Sequence, residues 1–117
     1  MNIAFNLEKS TKENIYYRRV ILTTKYQQLV LMSVSDNIDR EVHCHNDQFI
    51  KVEDGVAEVI INDKDRYVLK DGDDITILAG TYHEVINKGL TPIKLYTIYS
   101  PPHHPPDTIQ LHKPLND

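Results

Sequence analysis

Short segments rich in β-branched and aromatic residues, separated by turn signals roughly every ten residues, dominate the chain. Asp, Asn, Ser and Gly stand between these segments, and such residues favour tight turns. The pattern is typical of an all-β sandwich or barrel and not of a chain that alternates strands with long helices. Strands are predicted over Ile15–Thr24, Gln28–Val34, Val56–Ile61, Tyr67–Leu69, Ile75–Leu78, Glu84–Ile86 and Ile93–Tyr99. One helical turn is expected near Leu7–Asn14.

A length of 117 residues suits one domain with its own core. Residues 1–14 are predicted to be a polar lead-in, residues 15–100 a β-barrel, and residues 101–117 an extension packed on that barrel. The extension begins with the letters PPHHPP. Because proline lacks the backbone N–H that a sheet ladder needs, this tail is expected to lie extended over the barrel without pairing as a strand.

Charge and composition exclude several classes of function. The net charge is −4 and no cluster of basic residues is present, so nucleic acid is not an expected partner. No apolar run is long enough to cross a membrane, and the first residues do not resemble a signal peptide. The single cysteine, Cys44, suits a reducing, cytoplasmic location and is expected to be a small buried thiol.

The segment EVHCHNDQF, residues 41–49, carries residue types that bind metal ions. Side chains on a strand alternate between faces, so Glu41, His43 and His45 can share one face and converge on an ion. His83 is the best distant partner, because the remaining histidines, His103, His104 and His112, lie in the tail. The residues alone leave open whether the pair is His43 with His45 or Glu41 with His43.

Two sets of residues resemble, in order and in spacing, the two motifs of the cupin family. The positions that correspond to the first motif are Glu41, His43, Gln48 and Gly55. The positions that correspond to the second are Gly72, Gly80, His83 and Asn87. In this register Glu41 and Gln48 stand where the family pattern has His and Glu. Two further departures are Ser35 in place of a motif glycine and Leu78 in place of a proline.

The resemblance covers about Tyr17 to Lys113 and is strongest to small single-domain cupins described as mannose-6-phosphate isomerase-like. It implies a double-stranded β-helix, that is, a jelly-roll β-barrel in a single domain. It also implies one divalent ion, such as Mn, Fe, Ni or Zn, and the ligands Glu41, His43, Gln48 and His83.

The resemblance favours an enzyme that isomerises a sugar-like or other polar hydroxy-carbonyl compound, or performs a related proton transfer. The alternatives are an Fe(II)-dependent dioxygenase with the same ligands and a non-catalytic module that binds a carbohydrate or metabolite. His45 is the first candidate for a catalytic base, and Tyr82 and Tyr96 are candidates for lining the pocket. A small molecule and a second copy of the chain, in a homodimer, are the expected partners.

Overall fold

A computed structural model describes residues 2–115. It contains one helix, α1, over Leu7–Glu13, followed by ten strands. The strands are β1 Arg18–Thr23, β2 Gln28–Val34, β3 Asn37–Val42, β4 Asp47–Asp54, β5 Ala57–Ile61, β6 Asp65–Leu69, β7 Asp74–Ile77, β8 Tyr82–Asn87, β9 Ile93–Ser100 and β10 Ile109–Gln110.

The strands form two antiparallel sheets. One sheet has the order β10-β1-β2-β9-β4-β7 and the other has the order β3-β8-β5-β6. Alternate side chains of both sheets point into a shared apolar core, in which Val34, Val52, Val59 and Leu95 are fully buried. Two antiparallel sheets around one core are the predicted double-stranded β-helix, and this prediction is confirmed.

The strands that sequence patterning identified are present, with ends that differ by a few residues. Strands β3 and β4 were not among the predicted strands. Half-exposed and exposed polar residues interrupt β3, so it lacks a continuous apolar run.

The turn between β4 and β5 needs Gly55, whose φ is +101° and whose absent Cβ would lie 3.1 Å from Ile93 Cα.

Helix α1 packs against β2, β4 and β9 of the six-stranded sheet. Its first turn is capped by the side chain of Asn6, whose Oδ1 accepts a hydrogen bond of 3.2 Å from Lys9 N. Thr11, within the same helix, is fully buried. The helical turn expected near Leu7–Asn14 is confirmed. Within residues 2–115, no helix has the length and apolar character needed to cross a bilayer.

The tail forms a short strand, contrary to expectation. In β10, Ile109 pairs with Arg19 and Gln110 pairs with Arg18. The expectation that the tail would not pair was wrong because these two residues lie in the proline-free stretch between Pro106 and Pro114. They therefore keep the backbone N–H groups that a ladder requires.

Candidate metal centre

A β-bulge in the middle of β3 brings two of the predicted ligands opposite each other. Strands β3 and β8 are antiparallel, and their register shifts between Ile38 and Glu41. After the shift, Glu41 stands directly opposite His83. Bulges of this kind re-aim side chains near functional sites. The bulge thus places a carboxylate from one strand beside an imidazole from the next.

His43 follows the last residue of β3 and is fixed by contacts with the turn that precedes β8. Its carbonyl oxygen accepts a hydrogen bond of 2.9 Å from Gly80 N. The Asp47 side chain accepts another, of 2.9 Å, from Ala79 N. Gly80 has a φ of +83°, a conformation that glycine adopts without steric penalty. The two sequence motifs are therefore tied together at the site by backbone and side-chain hydrogen bonds.

Both imidazoles face the same carboxylate oxygen. The Nε2 atoms of His43 and His83 each lie 3.2 Å from Glu41 Oε1, and one donor atom from each of the three residues lies within 4.8 Å of the others. His43 is 7% exposed and His83 is 1% exposed, whereas the Glu41 side chain is 29% exposed. The cluster is therefore a buried pair of nitrogens beneath a carboxylate that reaches solvent.

The orientation of His83 favours a cation at its Nε2. Its Nδ1 lies 3.2 Å from the carbonyl oxygen of Thr81, which can only accept a hydrogen bond. Nδ1 therefore carries the proton, and in neutral His83 the lone pair of Nε2 faces an anionic oxygen. A metal ion bound at Nε2 relieves this repulsion. A ligand histidine whose other nitrogen donates to a carbonyl is a recurring feature of metal sites.

The electrostatics of Glu41 follow from the same contacts. Burial raises the pKa of its carboxyl, but hydrogen bonds and charges from His43 and His83 oppose that effect. The balance holds the pKa of Glu41 well below its ordinary value of 4.5. Glu41 is therefore an anion at neutral pH, the form in which a carboxylate binds a metal ion.

Gln48 comes from β4 in the other sheet and is 3% exposed. Its Nε2 donates to Thr97 Oγ1 at 3.1 Å and to Tyr99 Oη at 3.3 Å. Its Oε1 is buried and has no hydrogen-bond partner among residues 2–115. An unpaired buried amide oxygen carries a desolvation penalty that a cation can offset. This orphaned acceptor, together with the carboxylate and two imidazoles, fits a borderline divalent ion.

His45 and Cys44 lie outside the cluster. Strand β3 ends at Val42, so the alternation expected to bring His45 to the face of His43 does not continue. Residues 44 and 45 form a bend, and both are exposed. The expectation that Cys44 is buried was wrong, because the chain turns into solvent at this point.

The two tyrosines proposed as pocket residues lie away from the cluster, Tyr82 exposed and Tyr96 buried. Tyr82 is 41% exposed, and the Arg40 guanidinium carbon lies 4.0 Å from its ring centroid. Tyr96 alternates with Thr97 on β9 and therefore points to the opposite face, where its ring lies 6.2 Å from Phe49. The structure thus does not bring either tyrosine to the cluster.

Other residues stand beside the cluster instead. The ring of Tyr99 lies 5.4 Å from that of His43, and the ring of His103, from the tail, lies 4.1 Å from it. Strand alternation from the buried Ile93 places residues 97 and 99 on the inner face, so a signal for Tyr99 was present in the sequence. For His103 the sequence carries no comparable signal, because its position depends on how the tail folds back.

A cavity of about 510 Å³ lies elsewhere, against the outer face of the six-stranded sheet. It is bounded by the segments that precede β1 and follow β10, and Tyr17, Lys94 and Lys113 are among its lining residues. None of the cluster residues lines it. The cluster, not the volume of this cavity, identifies the candidate site, because the chemistry of the donor atoms is specific.

Comparisons with known proteins agree with this architecture. A family model described as "Cupin domain" matches residues 28–99. Protein L612 of Acanthamoeba polyphaga mimivirus is 46% identical over 114 residues, which cover 93% of this chain and 71% of that protein. YrkC of Bacillus subtilis is 38% identical over 111 residues, which cover 89% of this chain. The match spans 60% of YrkC, less than two thirds of its length.

Solved structures show the same fold. The crystal structure of BH2720 from Bacillus halodurans superposes with a TM-score of 0.90 at 38% identity, covering 94% of this chain and 89% of that one. KdgF from Halomonas sp. superposes with a TM-score of 0.65 at 19% identity, covering 74% of this chain and 78% of that one. At 19% identity, the second likeness concerns the fold alone.

Proposed function

The chain belongs to the cupin family, and we propose that it is a metal-dependent enzyme whose ion is held by Glu41, His43, Gln48 and His83. The observation that carries this proposal is that the Nε2 atoms of His43 and His83 both face one carboxylate oxygen of Glu41. The Nδ1 of His83 donates to a backbone carbonyl, which leaves its Nε2 available to a metal ion. The orphaned amide oxygen of Gln48 supports it. A carboxylate, an amide and two imidazoles suit Mn, Fe, Ni or Zn.

The proposed substrate is a small sugar-like or other polar hydroxy-carbonyl compound, and the reaction is an isomerisation or a related proton transfer. When bound, the ion supplies a Lewis acid that polarises a carbonyl oxygen. In the fold, His43 and His83 are buried, whereas the side chain of Glu41 is partly accessible to solvent. The resemblance to mannose-6-phosphate isomerase-like cupins supports the substrate class.

Elemental analysis of protein purified without chelator or nickel resin tests the metal centre. We expect about one divalent ion per chain in the wild type and none in His83→Ala, because a buried ligand nitrogen is lost. Gln48→Ala should bind the ion more weakly. His45→Ala is the matched control, since this exposed histidine lies two residues from a proposed ligand, and it should bind as the wild type does.

A different pattern would contradict the proposal. Full metal content in His83→Ala would place the ion elsewhere in the molecule, and loss of metal in His45→Ala would move the site to the His43–His45 pair. If the wild type binds no Mn, Fe, Ni or Zn even when each is supplied in excess, the metal-dependent enzyme is excluded.

Proton exchange in D₂O, followed by NMR on a panel of aldoses, ketoses and their phosphates, tests the reaction. The enzyme should incorporate deuterium next to the carbonyl, and a chelator should abolish the incorporation. Dioxygen consumption with an Fe(II)-loaded sample and no exchange would identify a dioxygenase instead. A ligand bound equally well before and after chelation, with no turnover, would identify a binding module.

A further inference from the structure

The segment Pro101–Pro106, here called the C-terminal strap, is fastened to the barrel by two buried amide side chains. Asn46 Nδ2 donates to the carbonyl oxygens of Pro101 and Pro102. Gln28 is fully buried, and Asn46 is 7% exposed. An unpaired donor or acceptor of a buried amide carries a desolvation penalty, so these hydrogen bonds fix where the strap lies.

Gln28 holds the middle of the strap through both ends of its amide. Its Oε1 accepts hydrogen bonds from His103 N at 3.1 Å and from His104 N at 2.8 Å. Its Nε2 donates to His104 O at 2.7 Å and to Thr23 Oγ1 at 2.9 Å. Three of these four bonds go to the strap. The backbone at His103 is therefore held against the barrel by buried hydrogen bonds.

This anchoring places the ring of His103 against a proposed metal ligand. The ring centroids of His103 and His43 are 4.1 Å apart and the planes are inclined by 64°. His103 is exposed and His43 is buried. Tyr99 supports the same arrangement, because its ring lies 5.2 Å from His103 and 5.4 Å from His43. The exposed ring of His103 therefore packs directly against the buried ring of His43.

We propose that His103 is a positioning residue of the metal centre, which fixes the ring of His43 and shields the bound ion from competing chelators. The strap thus completes the site from outside the two cupin motifs. The inference rests on the proposed metal binding. We attribute the effect of His103 on His43 to the edge-to-face packing of the two rings.

The test uses Co(II) as the probe in the full-length protein, with its visible absorption spectrum and its rate of release to excess EDTA as readouts. His103→Ala should still bind one ion but should release it faster, on the order of tenfold, as expected when a group that orients a ligand is removed. Its spectrum should shift, because the orientation of His43 changes. His103→Phe, which keeps a planar ring, should restore the release rate.

Gln28→Ala tests the anchor and should release Co(II) as fast as His103→Ala, whereas the exposed neighbour variant Gln27→Ala should match the wild type. His112→Ala controls for the loss of a tail histidine outside the strap. Wild-type release and spectrum in His103→Ala would overturn the inference, and so would His103→Phe behaving as His103→Ala does. If the wild type binds no Co(II), it is the proposed function that fails. The His103 variants keep the test valid even if Gln28→Ala does not fold.

Discussion

At the scale of single residues, Glu41 is the residue that both histidines of the site contact. Its Oε1 lies 3.2 Å from Nε2 of both His43 and His83, so a change in the charge of Glu41 affects both imidazoles. Replacing the Glu41 carboxylate removes the one anion in this trio. The neutral amide of Glu41→Gln keeps the shape and isolates the contribution of the charge.

The lowered pKa of Glu41 predicts how the metal-free protein responds to acid. A carboxyl whose pKa is lower in the folded state stabilises that state at pH values above its unfolded pKa of 4.5, and the contribution is lost as pH falls towards the folded pKa. The stability advantage of the wild type over Glu41→Gln should therefore shrink below about pH 4. Urea unfolding of both proteins from pH 6 to pH 3 measures it.

The exposed helix residue Glu13 provides the control for this experiment. Glu13→Gln should differ from the wild type by an amount that varies much less across the same pH range. A constant difference between the wild type and Glu41→Gln over the whole range would contradict the assignment of the charge to the trio.

At the scale of elements, the turn before β8 connects the two halves of the site through Gly80. Gly80 and Gly72 have similar positive φ values, +83° and +88°, and neither has an atom within 4 Å of where a Cβ would lie. They differ in their backbone partners. Gly80 N donates to His43 O, whereas Gly72 N donates to Val52 O.

This pair allows backbone strain to be separated from an effect on the site. Gly80→Ala and Gly72→Ala should each cost about 1 kcal/mol of stability, because alanine is strained at positive φ. Gly80→Ala alone should also weaken metal binding, since the turn that orients His43 shifts. Isothermal titration with Zn(II), beside thermal unfolding, measures both quantities. Equal metal affinities in the two variants would show that the turn does not orient the site.

The elements also show which features the sequence could predict. Apolar runs identified β2 and β9 because their burial follows composition. The motif spacing singled out Glu41, His43 and His83, which the structure brings together. The exposed bend at His45 could not be foreseen, because strand alternation gives no sign of where a strand ends.

Long-range contacts were hidden for a related reason. The bulge that sets Glu41 opposite His83 is a shift of register, which no local pattern records. The strap reaches His43 through Gln28, a residue 75 positions earlier in the chain than His103. Such contacts depend on tertiary structure, so the sequence predicted a tail packed on the barrel but not its position at the site.

At the scale of the whole molecule, the proposed ligands join the two sheets. Glu41, His43 and His83 belong to or adjoin β3 and β8 of the four-stranded sheet, whereas Gln48 lies on β4 of the six-stranded sheet. An ion bound by all four residues is a cross-link between the halves of the sandwich. Because the site requires folded strands, the free energy of metal binding adds to the free energy of folding.

This cross-link predicts a stability increase that depends on both sheets. With free Zn(II) at about one hundred times the dissociation constant, the wild type should gain about 2.7 kcal/mol. At the same Zn(II) concentration, Gln48→Ala should gain less because the link to β4 is lost, and His83→Ala should gain nothing. His45→Ala should gain as much as the wild type. Thermal unfolding with and without Zn(II) measures these differences. An undiminished gain in Gln48→Ala would place the ion on the four-stranded sheet alone, and an undiminished gain in His83→Ala would place it elsewhere in the molecule.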